Sequence, residues 1–181
     1  MPSTTVEDSG TGKLNLTNTF TYDAVGNLTK VDGPRTDVTD TVTTAYDTER
    51  LPTQITDGLS KVTKNFYDAD GRIIRTAAQL GTQWMVSCNT YSASGKLLGS
   101  WGPVLQSVAS SCPAATSPTQ VIDYAYDEVD RQSKVTEYPT AAAAQNRVTQ
   151  KVYKLDNTVQ SIRKDVGGTL EQYYAQYLYT P

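Results

Sequence analysis

The sequence predicts an all-β fold of tandem antiparallel β-hairpins, forming a curved sheet or part of a β-solenoid-like shell. Three observations predict it: a tyrosine-led motif recurs along the chain, turn-forming residues stand at a fixed offset inside each copy, and the flanks alternate with period two. The motif reads most clearly as Phe20-Thr21-Tyr22-Asp23-Ala24-Val25-Gly26-Asn27-Leu28 and as Asn65-Phe66-Tyr67-Asp68-Ala69-Asp70-Gly71-Arg72-Ile73. Thr90-Tyr91-Ser92-Ala93-Ser94-Gly95-Lys96-Leu97 and Tyr124-Ala125-Tyr126-Asp127-Glu128-Val129-Asp130-Arg131 keep the same outline. Looser copies begin at Tyr46 and Tyr153, and a last one begins at Tyr179. The anchoring tyrosines are separated by steps of 24, 21, 24, 35, 27 and 26 residues. Periods of this size belong to stacked supersecondary units rather than to one enzyme domain with a deep site.

Each copy encodes a hairpin. A short run ends in Tyr and meets Asp, whose carboxylate can accept a hydrogen bond from backbone two residues on. A residue four places after the Tyr then supplies the positive φ that closes the loop. Few residue types visit that region cheaply. The position holds Gly26, Gly71, Gly95, Asp130 and Asn157, all compatible with it. In the copy at Tyr46 the loop Asp47-Thr48-Glu49-Arg50-Leu51 reads as one residue shorter, which predicts a turn of another type there. After the turn come Leu28, Leu51, Ile73, Leu97 and Val159, with Gln132 the exception. Tyr and aliphatic positions repeated from hairpin to hairpin predict ladders of like side chains, each pair contributing about 0.2–1 kcal/mol.

The flanks behave as strands. Phe20 and Tyr22, Tyr124 and Tyr126, and Tyr177 and Tyr179 put two aromatics on one face at the strand period. No segment has helical periodicity, and the Ala141 to Ala144 run is too short to stand as a helix and reads as a loop. Residues 1–18 read as a mobile lead or partial repeat, and residues 19–181 as the repeat array. A Pro-, Ser- and Ala-rich insertion at about 102–120 stretches one step and predicts a surface loop. Cys112 lies in that insertion and Cys88 in the strand before Tyr91. A disulfide between them would stabilise by about 3 kcal/mol in the chain-entropy estimate; two reduced cysteines fit the sequence equally well.

Composition narrows the chemistry. The 181 residues are 38% hydrophobic and contain 12 Tyr against 2 Phe, a balance that suits amphipathic ladders better than a thick apolar core. A net charge of −3 with Lys and Arg scattered among acids provides no basic stripe for nucleic acid. No apolar run reaches the length of a membrane span, and no signal-peptide pattern is present. The chain has no His, which removes the commonest catalytic acid–base group and metal ligand. The two cysteines lack the pairing of a structural zinc site, no phosphate loop precedes a helix, and no cofactor is expected. The sequons at Asn15 and Asn27 are read as chance matches.

Two further readings attach to the repeated residues. Asp23, Asp47, Asp68 and Asp127 could line up at one end of a sheet as paired carboxylates, as a glycosidase requires, or as Ca²⁺ ligands. One acid per turn is a poor ligand set, and each Asp already has a local use in its turn. Exposed tyrosine rows could stack on sugars, which would make the chain a carbohydrate- or protein-binding cell-surface module. Packing within the sheet accounts for the same residues more simply.

The pattern of Tyr67-Asp68-Ala69-Asp70-Gly71-Arg72-Ile73 and Tyr22-Asp23-Ala24-Val25-Gly26-Asn27-Leu28 resembles the consensus of the RHS or YD-repeat family. The resemblance covers about residues 19–181 and departs from the consensus at Ser92, Lys154, Asp130 and Asn157. It implies hairpins winding into a hollow β-shell, as in bacterial polymorphic toxins, insecticidal toxin complexes and teneurin ectodomains. Such a shell encloses a toxic or effector domain and is secreted or displayed at the cell surface. The implied role is wall material without enzymatic activity, with Tyr22, Tyr46, Tyr67, Tyr91, Tyr126 and Tyr153 as ladder anchors and Gly26, Gly71 and Gly95 as turn formers. The implied partners are the remainder of a longer chain and its enclosed domain, with self-association through sheet edges expected of the isolated segment. No residues match the family's self-cleaving segment, and the sequence stops inside another copy at Tyr179, as a fragment would.

Overall fold

The computed structural model describes residues 3–7, 15–114, 121–138, 146–166 and 175–178. It is all-β, with no helix among the described residues. Strands β1 (Ser3–Glu7), β2 (Asn15–Tyr22), β3 (Leu28–Asp32), β4 (Val42–Tyr46), β5 (Pro52–Thr56), β6 (Val62–Tyr67) and β7 (Ile73–Leu80) come first. They are followed by β8 (Gln83–Tyr91), β9 (Leu97–Gln106), β10 (Val121–Tyr126), β11 (Gln132–Tyr138), β12 (Arg147–Tyr153), β13 (Val159–Val166) and β14 (Ala175–Gln176). Each strand pairs with its neighbours in sequence, so the topology is an antiparallel meander. Short turns make this the natural outcome, because antiparallel strands are joined by tight hairpins and parallel ones are not.

Two compact units divide the chain, one of residues 1–85 and 107–109, the other of residues 86–106 and 110–181. In the first, β1 and β2 pair from Ser3↔Thr19 to Glu7↔Asn15, and β2–β3, β4–β5 and β6–β7 are hairpins led by Tyr22, Tyr46 and Tyr67. In the second, the hairpins β10–β11 and β12–β13 are led by Tyr126 and Tyr153. Every one of these five hairpins shifts register by one residue just before its Tyr, so that Tyr22 faces Leu28, Tyr46 faces Pro52, Tyr67 faces Ile73, Tyr126 faces Gln132 and Tyr153 faces Val159. The extra residue is a β-bulge, which a loop ending in a left-handed residue imposes on its hairpin.

The copy at Tyr46 differs from the sequence expectation. Its turn is of the same type as the others, with Arg50 at φ 66 in the position that Gly26 and Gly71 hold at φ 89 and 76. The expectation of a loop one residue short pairs Leu51 with Leu28. Pro52 is the residue facing Tyr46, and Leu51 takes the place of Asn27. A seventh turn of this form, Asp57-Gly58-Leu59-Ser60-Lys61, joins β5 to β6 without any Tyr, with Ser60 at φ 60.

The insertion also begins later than its composition suggests. β9 runs on through Gly102 and Pro103 to Gln106, and irregular backbone follows from Ser107 to Ala114. Gly102, at φ 97, allows this: a Cβ there would stand 2.5 Å from the Val86 carbonyl oxygen and 3.0 Å from the Ser87 Cα. The two backbones approach so closely that only glycine fits. Residues 115–120 of the insertion and the Ala141 to Ala144 run lie outside the described residues.

The interior is thin. Ala77, Val86 and Cys88 are fully buried, and most strand residues are half-buried. A sheet of this kind is held by cross-strand ladders and by its turns, so the turns are where the sequence motif concentrates.

Candidate functional site

The tyrosine-led turns share one construction. In the turn after Tyr22, the Asp23 N–H donates to the Asn27 carbonyl at 3.0 Å and the Gly26 N–H to the Asp23 carbonyl at 3.2 Å. The same pair of bonds recurs between Asp47 and Leu51, Asp68 and Arg72, Ser92 and Lys96, Asp127 and Arg131, and Lys154 and Thr158. This is a three-residue loop closed by a left-handed residue. Asp130 and Asn157, both at φ 68, and Gly95, at φ 85, fill that place in the second unit.

The Asp side chain completes the turn from within. Asp68 Oδ1 accepts from the Asp70 N–H at 3.0 Å and the Arg72 N–H at 2.9 Å. Its Oδ2 accepts from Arg72 Nε at 2.7 Å. Asp127 repeats all three bonds with Val129 and Arg131. Asp23 does so with Val25 and both ends of Asn27, and Asp47 Oδ1 accepts from the Leu51 N–H at 2.7 Å. At the two departures from the motif, Ser92 Oγ accepts from the Lys96 N–H at 3.0 Å, and Asp156 takes over from Lys154 by accepting the Thr158 N–H.

These bonds set the electrostatics. The Asn27 N–H holds the Asp23 carboxyl below the usual carboxylate range against some desolvation. Burial opposes ionisation of Asp68 and Asp127, yet the Arg72 and Arg131 N–H groups and guanidinium groups outweigh it and lower both. Thr158 does the same for Asp156, chiefly through its hydroxyl. A carboxylate held ionised by three donors is a poor general acid and an occupied ligand. Among the described residues no group of three or more acids or cysteines converges as a metal set.

Consecutive turns are tied to one another by two devices. The first is the tyrosine hydroxyl. Tyr46 Oη donates to the Leu28 carbonyl at 2.9 Å, Tyr67 to Pro52 at 2.9 Å, Tyr126 to Leu97 at 2.9 Å and Tyr153 to Gln132 at 2.8 Å. Each acceptor is the first strand residue after the preceding tyrosine-led turn. The second device is a polar side chain reaching between turns. Arg50 Nε donates to Asn27 Oδ1 at 2.8 Å and Lys96 Nζ to the Asp130 carbonyl at 2.9 Å. Arg131 Nη1 reaches both the Lys154 carbonyl and Asn157 Oδ1, at 3.0 and 2.9 Å. Lys96 also lies over the Tyr126 ring and Arg131 over the Tyr153 ring, at 5.4 and 4.6 Å, within cation–π range.

Other candidate residues have structural surroundings. Asn27, the residue of one sequon, is buried and has both ends of its amide engaged. Leu28, Ile73 and Gln132 open the strands after their turns, and Leu97 does so in the second unit. Tyr22 remains 45% exposed, whereas the hydroxyls of Tyr46, Tyr67, Tyr126 and Tyr153 are engaged in part-buried hydrogen bonds. Cys88 and Cys112 form a disulfide with Cα atoms 6.1 Å apart. A shallow recess in the first unit is lined by Asp47, Glu49, Phe66, Asp68 and Arg75 among others. Its Arg75 guanidinium lies 3.7 Å over the Phe66 ring, and Asp68 is bound to Arg72.

No protein-family model matches the chain, and no curated protein matches it in sequence. In structure it is similar to a crystal structure of TcdB2-TccC3-TEV, with a TM-score of 0.64 at 16% identity over 83% of this chain. A crystal structure of TcdB2-TccC3-Cdc42 gives 0.64 at 16% identity over 84%. A Photorhabdus luminescens Tc holotoxin pore carrying a substitution in TccC3 gives 0.63 at 12% identity over 95%. What they share is the fold. The chain spans 8% of the length of each of the first two and 9% of the third. No helix of the described residues is long and apolar enough to cross a membrane.

Proposed function

We propose that these residues are wall material: a non-enzymatic segment of an RHS-type β-shell that encloses a toxin or effector domain of a longer, secreted chain. The observation that carries this reading is the tie between successive hairpins, in which the tyrosine of one hairpin satisfies a carbonyl of the hairpin before it. Such a device extends an array hairpin by hairpin and creates no cleft. The likeness to Tc toxin structures supports it, because insecticidal toxin complexes are among the proteins that the repeat pattern resembles. The turn carboxylates support it as well, since their oxygens are spent on backbone and guanidinium donors. Partners of the segment are then the flanking wall and the enclosed domain, with no nucleic acid and no cofactor.

The test uses the longer chain. Limited proteolysis of that chain should leave a distinct domain undigested, and deletion of the hairpins β10 to β13 should open the wall and expose it. A domain digested equally fast before and after the deletion would refute enclosure. Binding of glycans that is abolished by Tyr22→Ala in a folded protein would instead favour a surface-recognition role.

A further inference from the structure

We propose that the Cys88–Cys112 disulfide is a redox-operated latch, reducible in the folded protein through its exposed Cys112 end, that ties the segment Ser111–Pro113 to the sheet. The two half-cystines sit in opposite surroundings. Cys88 is on β8 and fully buried, whereas Cys112 lies in irregular backbone and is exposed. Tethers on this segment include the disulfide itself, the Trp101 Nε1 bond to the Pro113 carbonyl at 2.9 Å, and the Gln106 Nε2 bond to the Ser111 carbonyl at 2.6 Å. Both side-chain donors belong to β9, and each bond is a neutral one of modest strength. The covalent tether is the strongest of these, and its loss leaves the segment to hydrogen bonds of this kind.

The chemistry follows from access. Exchange requires a thiolate to approach one sulfur of the bridge, and burial closes Cys88 to that approach. A dithiol reductant therefore attacks Cys112 Sγ. The S–S bond breaks, Cys88 departs with the electron pair and takes up a proton, and Cys112 is held in a mixed disulfide with the reductant. The second thiol of the reductant then attacks its own mixed-disulfide sulfur, releasing Cys112 as a thiol and leaving the reductant as a cyclic disulfide, two electrons oxidised. The freed Cys88 is left as a small apolar side chain in a packed site, a role to which an unpaired cysteine is suited. The strands keep their ladder hydrogen bonds throughout, because the sheet owes none of its pairing to the bridge. The segment is thus fastened in an oxidising exterior and loosened in a reducing compartment, while the sheet persists. This inference does not depend on the proposed shell, since it concerns only β8, β9 and the segment beside them.

The experiment is a pulse of dithiothreitol on the folded chain, without denaturant, followed by a brief exposure to iodoacetamide and peptide mass spectrometry. Cys112 should be alkylated first, with Cys88 at least ~10-fold slower because burial shields it. In a Trp84→Phe background, Trp101 emission should move toward that of Cys112→Ser while the circular dichroism of the sheet stays constant. A disulfide that resists dithiothreitol until urea unfolds the chain would overturn the proposal. So would equal alkylation of both cysteines, which would mean that opening is global. The order of alkylation is read on the unmodified cysteines, so the test stands even if Cys112→Ser fails to fold.

Discussion

Replacing Tyr126 by Phe isolates the contribution of one inter-hairpin hydroxyl. The substitution keeps the ring that packs on the sheet and keeps it beneath the Lys96 ammonium. It removes only the 2.9 Å bond to the Leu97 carbonyl, in part-buried surroundings. A net hydrogen bond contributes about 0.5–1.5 kcal/mol, and an acceptor left without its donor away from water costs about 1–3 kcal/mol. The expected loss is therefore about 1–2 kcal/mol, which for a chain of this size lowers the melting temperature by roughly 2–8 °C. Urea unfolding followed by circular dichroism gives the midpoint and the slope together, and an unchanged slope shows that stability alone has moved. Tyr124→Phe is the control, because its hydroxyl donates no hydrogen bond among the described residues, and it should be close to neutral. If Tyr126→Phe and Tyr124→Phe melt together with wild type, the hydroxyl tie contributes nothing and the account of hairpin coupling fails.

Four further outcomes are expected. Gly71→Val puts a β-branched residue at φ 76 and should cost about 1–3 kcal/mol; a melting temperature equal to wild type would show that this turn tolerates any residue. Gly102→Ala should be more damaging still, since its Cβ would stand 2.5 Å from the Val86 carbonyl oxygen, and soluble, cooperatively folding protein would contradict the close approach of the two backbones. Arg131→Ala removes the Asp127 ion pair and both bonds into the next turn, and Arg131→Lys should fail to restore stability because a single ammonium cannot reproduce the planar fork; full rescue by Lys in thermal unfolding would reduce Arg131 to a point charge. Asp68 and Asp127 have folded-state pKa values below their ordinary 3.8, so the native state binds fewer protons than the unfolded chain just below that pH. Their stabilisation is present above the unfolded value, beginning to fall about a unit above it, and is lost as pH falls through the lowered folded values, and a pH titration of the urea midpoint that is equally steep in Asp68→Asn/Asp127→Asn would assign the acid sensitivity elsewhere.

The all-β hairpin array was legible because each turn must place one residue at positive φ, and Gly26, Gly71, Gly95, Asp130 and Asn157 are residue types that do so at low cost. Arg50 and Ser60 occupy the same conformation without that signature. There the Asp capping bonds and the flanking strands impose what local preference disfavours, and no single-residue rule could expose it. The Asp57 turn has no sequence flag for a related reason: it lacks the tyrosine that marks the others, because tyrosine serves the neighbouring hairpin rather than the turn beside it. Gly102 and Pro103 fall at the head of a Pro-, Ser- and Ala-rich stretch whose composition and long repeat step suggest a loop from about 102 onward. The actual constraint on Gly102, the nearness of β8, is invisible without the fold. The inter-turn bonds of Tyr46, Arg50, Lys96 and Arg131 lie between residues far apart in sequence, so the motif displayed the residues while concealing their partners.

That last point explains why tyrosine and the left-handed residue recur together. A loop that ends in a left-handed residue forces a bulge, and beside the bulges of β2–β3, β4–β5 and β10–β11 the carbonyl of the first residue of the returning strand, Leu28, Pro52 or Gln132, is the one that a tyrosine reaches, as Leu97 is after the Ser92 turn. The donor is always the tyrosine of the hairpin that follows. Turn and tyrosine are thus two halves of one device that spans two hairpins, and neither half completes itself. Stability in such an array is carried by nearest-neighbour interfaces as much as by the units. Each hairpin thus completes its neighbour's turn, and the array is coupled from one tyrosine-led turn to the next.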